Sequence, residues 1–215
     1  MAPTPGTPGA PPSAVLPDGA AGPDRAWLER VFGADGLWRP ADAELPDGLT
    51  HRPTRSFLTT VGLPAVRIGR LGLDARFLRE DGLWVQQADE LYGGSRPRGD
   101  GAPSDGCVKL MEHPDFHFVL DGESGAVDLF LPDAWDRGEG FGGHYARSVP
   151  RLVADLGLAA TAVAGVDDVE TDLEPALETF LGHLRHLDRL DRPGPPPDRP
   201  ELWADVFEYV DEYHE

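Results

Sequence analysis

Thr54-Arg55-Ser56-Phe57-Leu58-Thr59-Thr60-Val61-Gly62-Leu63-Pro64 is the stretch on which the reading of the fold turns. Pro53 suits an early helical position, Phe57, Leu58 and Val61 recur at helical spacing, and Gly62 and Pro64 stop the run. A helix is therefore predicted over Pro53–Thr60. Upstream, Pro23 and Asp24 start a first helix that runs to Phe32, with Trp27, Leu28 and Val31 on one stripe and Gly33 as a left-handed stop. Downstream the period changes. Val66–Gly69, Ala75–Leu78 and Gly82–Gln87 are short runs broken by glycines and Asp81, which reads as extended chain. Cys107–Glu112, Phe116–Leu120 and Ala126–Leu131 read as three more strands, with Asp121-Gly122-Glu123-Ser124-Gly125 turning between the last two. Helices followed by a meander of about six strands make the fold class α+β.

The remaining segments divide the chain. Residues 1–22 are mostly Pro, Gly, Ala and Thr, too poor in large apolar groups to order, and are expected to be a disordered tail. A domain is expected over 23–192. Within it, a polar connection runs through Pro40 and Pro46, Gly93–Gly106 reads as a loop too polar to pack, and Pro132–Pro150 reads as irregular. Leu152–Val166 fits helix by its alanines and strand by alternation, and stays open. Thr171 with Glu174 resembles a capping box, and Leu177, Phe180, Leu181, Leu184 and Leu187 form a helical stripe expected to lie against the sheet. Pro193–Pro200 reads as a stiff spacer within a terminal segment 193–215. A last helix, Glu201 to about Tyr213, has Leu202, Trp203, Val206, Phe207 and Val210 on one face and acid around the rest, to dock on its own domain or on a partner.

The net charge of -19, with a sequence pI near 4.6, is the reverse of what phosphate-backbone binding requires, so nucleic acid is not expected as a direct ligand. Solubility is the plainer account of such an excess, and a basic partner is the sharper one. Neither a basic leader with an apolar core nor an apolar run long enough for a bilayer is present, which gives the expectation of a cytoplasmic protein. Cys107 stands alone, without a disulfide partner or a CxxC pair, and is expected to be an inert thiol.

No catalytic centre or cofactor is expected. Gly138, Gly140 and Gly143 match GxGxxG, but no strand leads directly into them, Glu139 sits where a pyrophosphate would approach, and no long apolar helix follows. Phosphate-loop, nucleophile-elbow, zincin and EF-hand spacings are missing. His183 and His186 share a helix face, as a metal pair would, but solvated surface is the simpler reading. His113 and His117 flank Pro114 and need not converge. Asp167, Asp168, Glu170, Asp172 and Glu174 sit at a helix start, where capping explains them.

Arg55–Pro64 after an N-terminal helix, Phe118-Val119-Leu120-Asp121 with Gly125-Ala126-Val127, and the late helix carrying Leu177, Phe180, Leu181 and Leu184 together resemble the fourth subgroup of the SUKH superfamily of bacterial immunity proteins, over about Trp27–Leu190. That resemblance implies a curved antiparallel sheet with helices packed on it. It also implies a non-enzymatic role: holding a cognate toxin domain, nuclease or nucleic-acid deaminase, inactive in the producing cell. The partner would then be basic. Asp121 and Glu123 at the turn, with Asp205, Glu208, Asp211 and Glu212 on the last helix, are the candidate partner-binding residues, chosen for expected exposure. A protein-interaction or scaffold module of the same fold without a toxin is the alternative, and a hydrolase with carboxylates in a cleft is a third. The oligomeric state is left open.

Overall fold

The computed structural model describes residues 15–99, 102–137, 139–166, 171–190 and 199–208. Helix α1, Arg25–Phe32, begins where the Asp24 carboxylate accepts from the Trp27 amide at 2.7 Å, and it buries Trp27 and Leu28. Helix α2, Arg52–Thr60, has Pro53 in its first turn and buries Thr54 and Leu58. Its Arg55 donates to the carboxylate and the carbonyl of Asp42, at 2.9 and 2.7 Å, and to the carbonyls of Pro46 and Leu49. The rigid fork of guanidinium donors thereby satisfies backbone acceptors along the whole 42–49 connection. Strands β1, Leu37–Trp38, and β2, Leu63–Pro64, bracket α2 as a small antiparallel pair.

The main sheet is antiparallel and seven-stranded: β3 (Arg67–Ile68), β4 (Leu73–Asp74), β5 (Val85–Gln86), β6 (Cys107–Glu112), β7 (His117–Asp121), β8 (Val127–Phe130) and β9 (Phe141–Ala146). Their order is β3-β4-β6-β7-β8-β9, with β5 also paired to β6. Two expectations give way in this sheet. Ala75–Leu78 is not a strand. The Asp74 carboxylate accepts from the Arg76 amide at 2.9 Å, and this local turn sends the chain into helix α3, Phe77–Glu80. Pro132–Pro150 is not wholly irregular. It contains β9, whose ladder with β8 overrides the low strand propensity of Gly142 and Gly143.

Residues 149–162 form helix α5, capped by Ser148 with Pro150 in the first turn, which settles the ambiguity of that segment. Val149 to Ala159 are almost all buried because α5 lies against β9 and is flanked by α1, α2 and α6 (Glu174–Leu190). At Gly157 an added Cβ would collide with the Trp27 ring, so the glycine is what lets α1 seat its indole on α5. The stripe of α6 is buried at Phe180, Leu184 and Leu187, and its main neighbours are α5 and α7 (Arg199–Glu208), not the sheet. The position against the sheet is already filled by α5. The cap of α6 comes from Asp172, which accepts from the Glu174 amide at 2.9 Å, and not from Thr171.

The ends correct the sequence reading too. Residues 15–22 pack on the domain: Ala20 is fully buried, Leu16 touches the core, and the Val15 carbonyl lies 3.2 Å from His183 Nε2. The disorder expected over 1–14 lies outside the described residues, as do 193–198 of the spacer and 209–213 of the last helix. On the side of the sheet away from α5, helix α4 (Ala88–Tyr92) builds a second, smaller core of Ala88, Leu91, Tyr92, Cys107 and Val119. Strand β7 is thus covered on both faces, which explains its unbroken Phe118-Val119-Leu120 run.

Candidate partner-binding surface

The turn after β7 is built as a clamp. Gly122 accepts at its carbonyl from the Thr50 and His51 amides, at 2.9 and 2.8 Å, and donates to the Gly106 carbonyl at 2.7 Å. A Cβ there would collide with the Gly48 carbonyl, so the approach of three backbone segments requires glycine. The Asp121 side chain is 4% exposed and accepts from the amides of Ser104, Glu123 and Ser124. Burial alone would raise its pKa, but these bonds outweigh it and hold the carboxyl below its usual range. Asp121 is therefore not the exposed partner contact the sequence reading took it for, because the turn consumes both its oxygens. Glu123, at the tip, is exposed.

Helix α7 docks on its own domain. Trp203, Val206 and Phe207 are buried, and the Trp203 ring packs edge-on against Phe180 at 4.7 Å between centroids. Its Nε1 donates to the Tyr145 hydroxyl at 3.0 Å, which in turn donates to Asp155 at 2.9 Å. Asp155 also accepts from Arg151 Nε at 2.9 Å, and Arg151 Nη2 donates to Asp188 at 2.7 Å. One buried polar chain so links α7, β9, α5 and α6. Asp205 and Glu208 point away from it and are exposed, whereas Asp211 and Glu212 lie outside the described residues.

The outward face of the main sheet, which sequence reasoning missed, carries rows of directly paired residues. Asp74 pairs with Glu112, Glu112 with His117, His117 with Phe130, and Phe130 with Phe141, so one row crosses five strands on one face. Every member is half-buried. The next row runs Lys109, Val119, Asp128, His144. Helix α4 covers Cys107 and Val119, and Tyr92 packs edge-on against Phe130 and Phe141, at 6.3 and 5.2 Å between centroids, leaving the first row open beyond it. Lys109 lies over the rings of Phe77 and Trp84 and is paired with Glu112 at 2.7 Å; Trp84 is 40% exposed. Alternation of His117, Val119 and Asp121 hinted at this face. The glycines of β9 hid the strand that completes it.

Several titratable groups sit in or under this face. Burial raises the Asp128 pKa to about 6 although His144 Nδ1, 2.5 Å from its carboxylate, opposes the rise. Burial, with the nearby Asp121 and Asp128, pushes the Cys107 thiol up to about 12, which makes it an inert thiol. His113 and His117, whose spacing left their convergence open, both line a pocket of about 320 Å³ with Arg67, Asp74 and Glu112. Burial lowers the pKa of each. Among the described residues no group of three or more His, Cys, Asp or Glu is arranged to hold a metal. Gly143 of the GxGxxG match lies inside β9, not at a helix start. No helix among the described residues is long and apolar enough to cross a membrane.

The sequence model of the SUKH-4 immunity protein family matches residues 23–209, from the start of α1 to beyond α7. The chain belongs to that family. No curated protein and no solved structure matches it. Membership of an immunity protein family implies a toxin protein for a partner. The match takes in α7 along with the sheet, in keeping with the way Trp203 ties that helix to Tyr145.

Proposed function

We propose that this SUKH-4 protein binds and neutralises a cognate toxin domain of nuclease or nucleic-acid deaminase type inside the cell that makes both, without catalysis of its own. The observation that carries the reading is the family match over residues 23–209. The net charge of -19 fits the toxin type, because domains that act on nucleic acid present basic clefts. An acidic antidote is drawn to such a cleft at rates approaching ~10⁸ per molar per second at low salt. Glu123, Asp205 and Glu208, exposed at the turn tip and on α7, contribute to that long-range field, as do Asp211 and Glu212 by their charge. Co-expression tests the reading. The toxin domain encoded beside this chain's gene should arrest growth of a host alone and cease to do so when the chain is present. Arrest that persists at matched expression would overturn it.

A further inference from the structure

Of the surfaces that remain unassigned, the row on the outer face of the sheet stands apart because it sets two phenylalanines and two histidines side by side; among the described residues, the exposed large apolar side chains elsewhere are Val15, Trp84 and Leu190. On α7, by contrast, Trp203, Val206 and Phe207 are turned inward, and Glu201, Asp205 and Glu208 face out. We infer that the aromatic end of the row, Phe130 and Phe141 with His117 and His144, is the surface that grips the toxin, and that it takes arginine side chains from a basic toxin face. This rests on the immunity reading above and adds where and how the partner is held.

Two features lead there. The first is the rings. His117 and Phe130 lie 5.5 Å apart between centroids, Phe141 and His144 5.4 Å, and Tyr92 backs both phenylalanines from α4. Half-exposed aromatics held rigid from behind lose little entropy on contact, which is the profile of residues that dominate binding energy. The second is the frame of charge. The 131–140 connection between β8 and β9 carries Asp133, Asp136 and Glu139 against one Arg137. All three carboxylates are on exposed residues, and the connection closes directly on the row, with the Leu131 amide donating to the Gly140 carbonyl at 2.8 Å. On α4, whose Tyr92 backs the rings, the exposed Asp89 is already paired with Arg96 at 2.9 Å. A guanidinium lies flat on an aromatic face while its fork of N–H groups reaches carboxylates beside it; an ammonium does only the second. Rings bordered by carboxylates therefore select arginine, and the row forms the short-range grip that the diffuse charge of α7 does not supply.

The toxin domain used in the co-expression experiment serves as the probe. In the full chain, a benzophenone side chain placed at position 136, and separately at 205, is irradiated in the complex. Cross-links are expected from 136 and not from 205. The double variant Asp133→Lys with Asp136→Lys, both in an exposed connection, should weaken binding at least tenfold and speed dissociation, with unchanged folding by circular dichroism. Asp205→Lys with Glu208→Lys should leave the dissociation rate within twofold. Cross-links from 205 alone, or a 133/136 double variant that binds like wild type while the wild type still neutralises, would overturn the surface and leave the immunity reading standing. A wild-type chain that neither binds nor neutralises that domain would overturn both.

Discussion

Asp121 shows at residue scale how a charge chosen for exposure comes to serve the fold. Its two oxygens accept from three amides, and the loop it clamps brings together the 48–51, 104–106 and 121–125 segments. Asp121→Ala strands those donors in a buried site and should cost about 2–3 kcal/mol in urea denaturation, whereas Glu123→Ala should stay within ~0.5 kcal/mol. The histidines make a second test. Burial lowers the pKa of His113 and His117, outweighing Asp115 at the first and, with Lys109, Glu112 at the second. The folded chain therefore holds them neutral while the unfolded chain protonates near pH 6.5. Their contribution is complete above that value and is lost as pH falls through it. His113→Phe, which keeps the stacking on Phe116, should shrink the loss of stability between pH 7.5 and 5.5; an unchanged loss would count against this account. Asp128 runs the other way, since its raised pKa of about 6 withdraws stability as pH rises from about 4 to about 6. Removing its partner with His144→Ala should move the Asp128 carboxyl higher still, read by carbon-13 shift titration.

At the scale of elements, α7 is the part whose role the sequence left undecided. Trp203→Ala should cost about 3–5 kcal/mol, and Trp203→Phe about 1 kcal/mol through the lost bond to Tyr145, both measured by thermal or urea unfolding. A helix that merely rested on the surface would show neither. Much of the element order was legible: α1, α2, β6, β7, β8 and α6 each carry their own caps, stops or alternation, as Asp24, Pro53 and the Asp121–Gly125 turn illustrate. What escaped was set by partners distant in sequence. Strand β9 exists because β8 offers it a ladder despite Gly142 and Gly143. Helix α5 reads both ways because burial on every side erases the polar face that betrays a helix. The open row was invisible for the same reason, since Asp74, Glu112, His117, Phe130 and Phe141 meet only through register.

For the whole molecule, the surface we propose would divide the work of binding between the surplus of acid and the sheet face, charge bringing a basic partner in and aromatic contact keeping it. Composition gave the total charge but not which carboxylates are exposed, and Asp121 is the case where it misled. The most direct test of the central claim is a titration of the purified chain into its toxin domain at fixed concentration, with the toxin's turnover of nucleic acid as the readout. Turnover should fall in proportion to added chain and vanish near one equivalent. Turnover that continues unchanged in tenfold excess would contradict it.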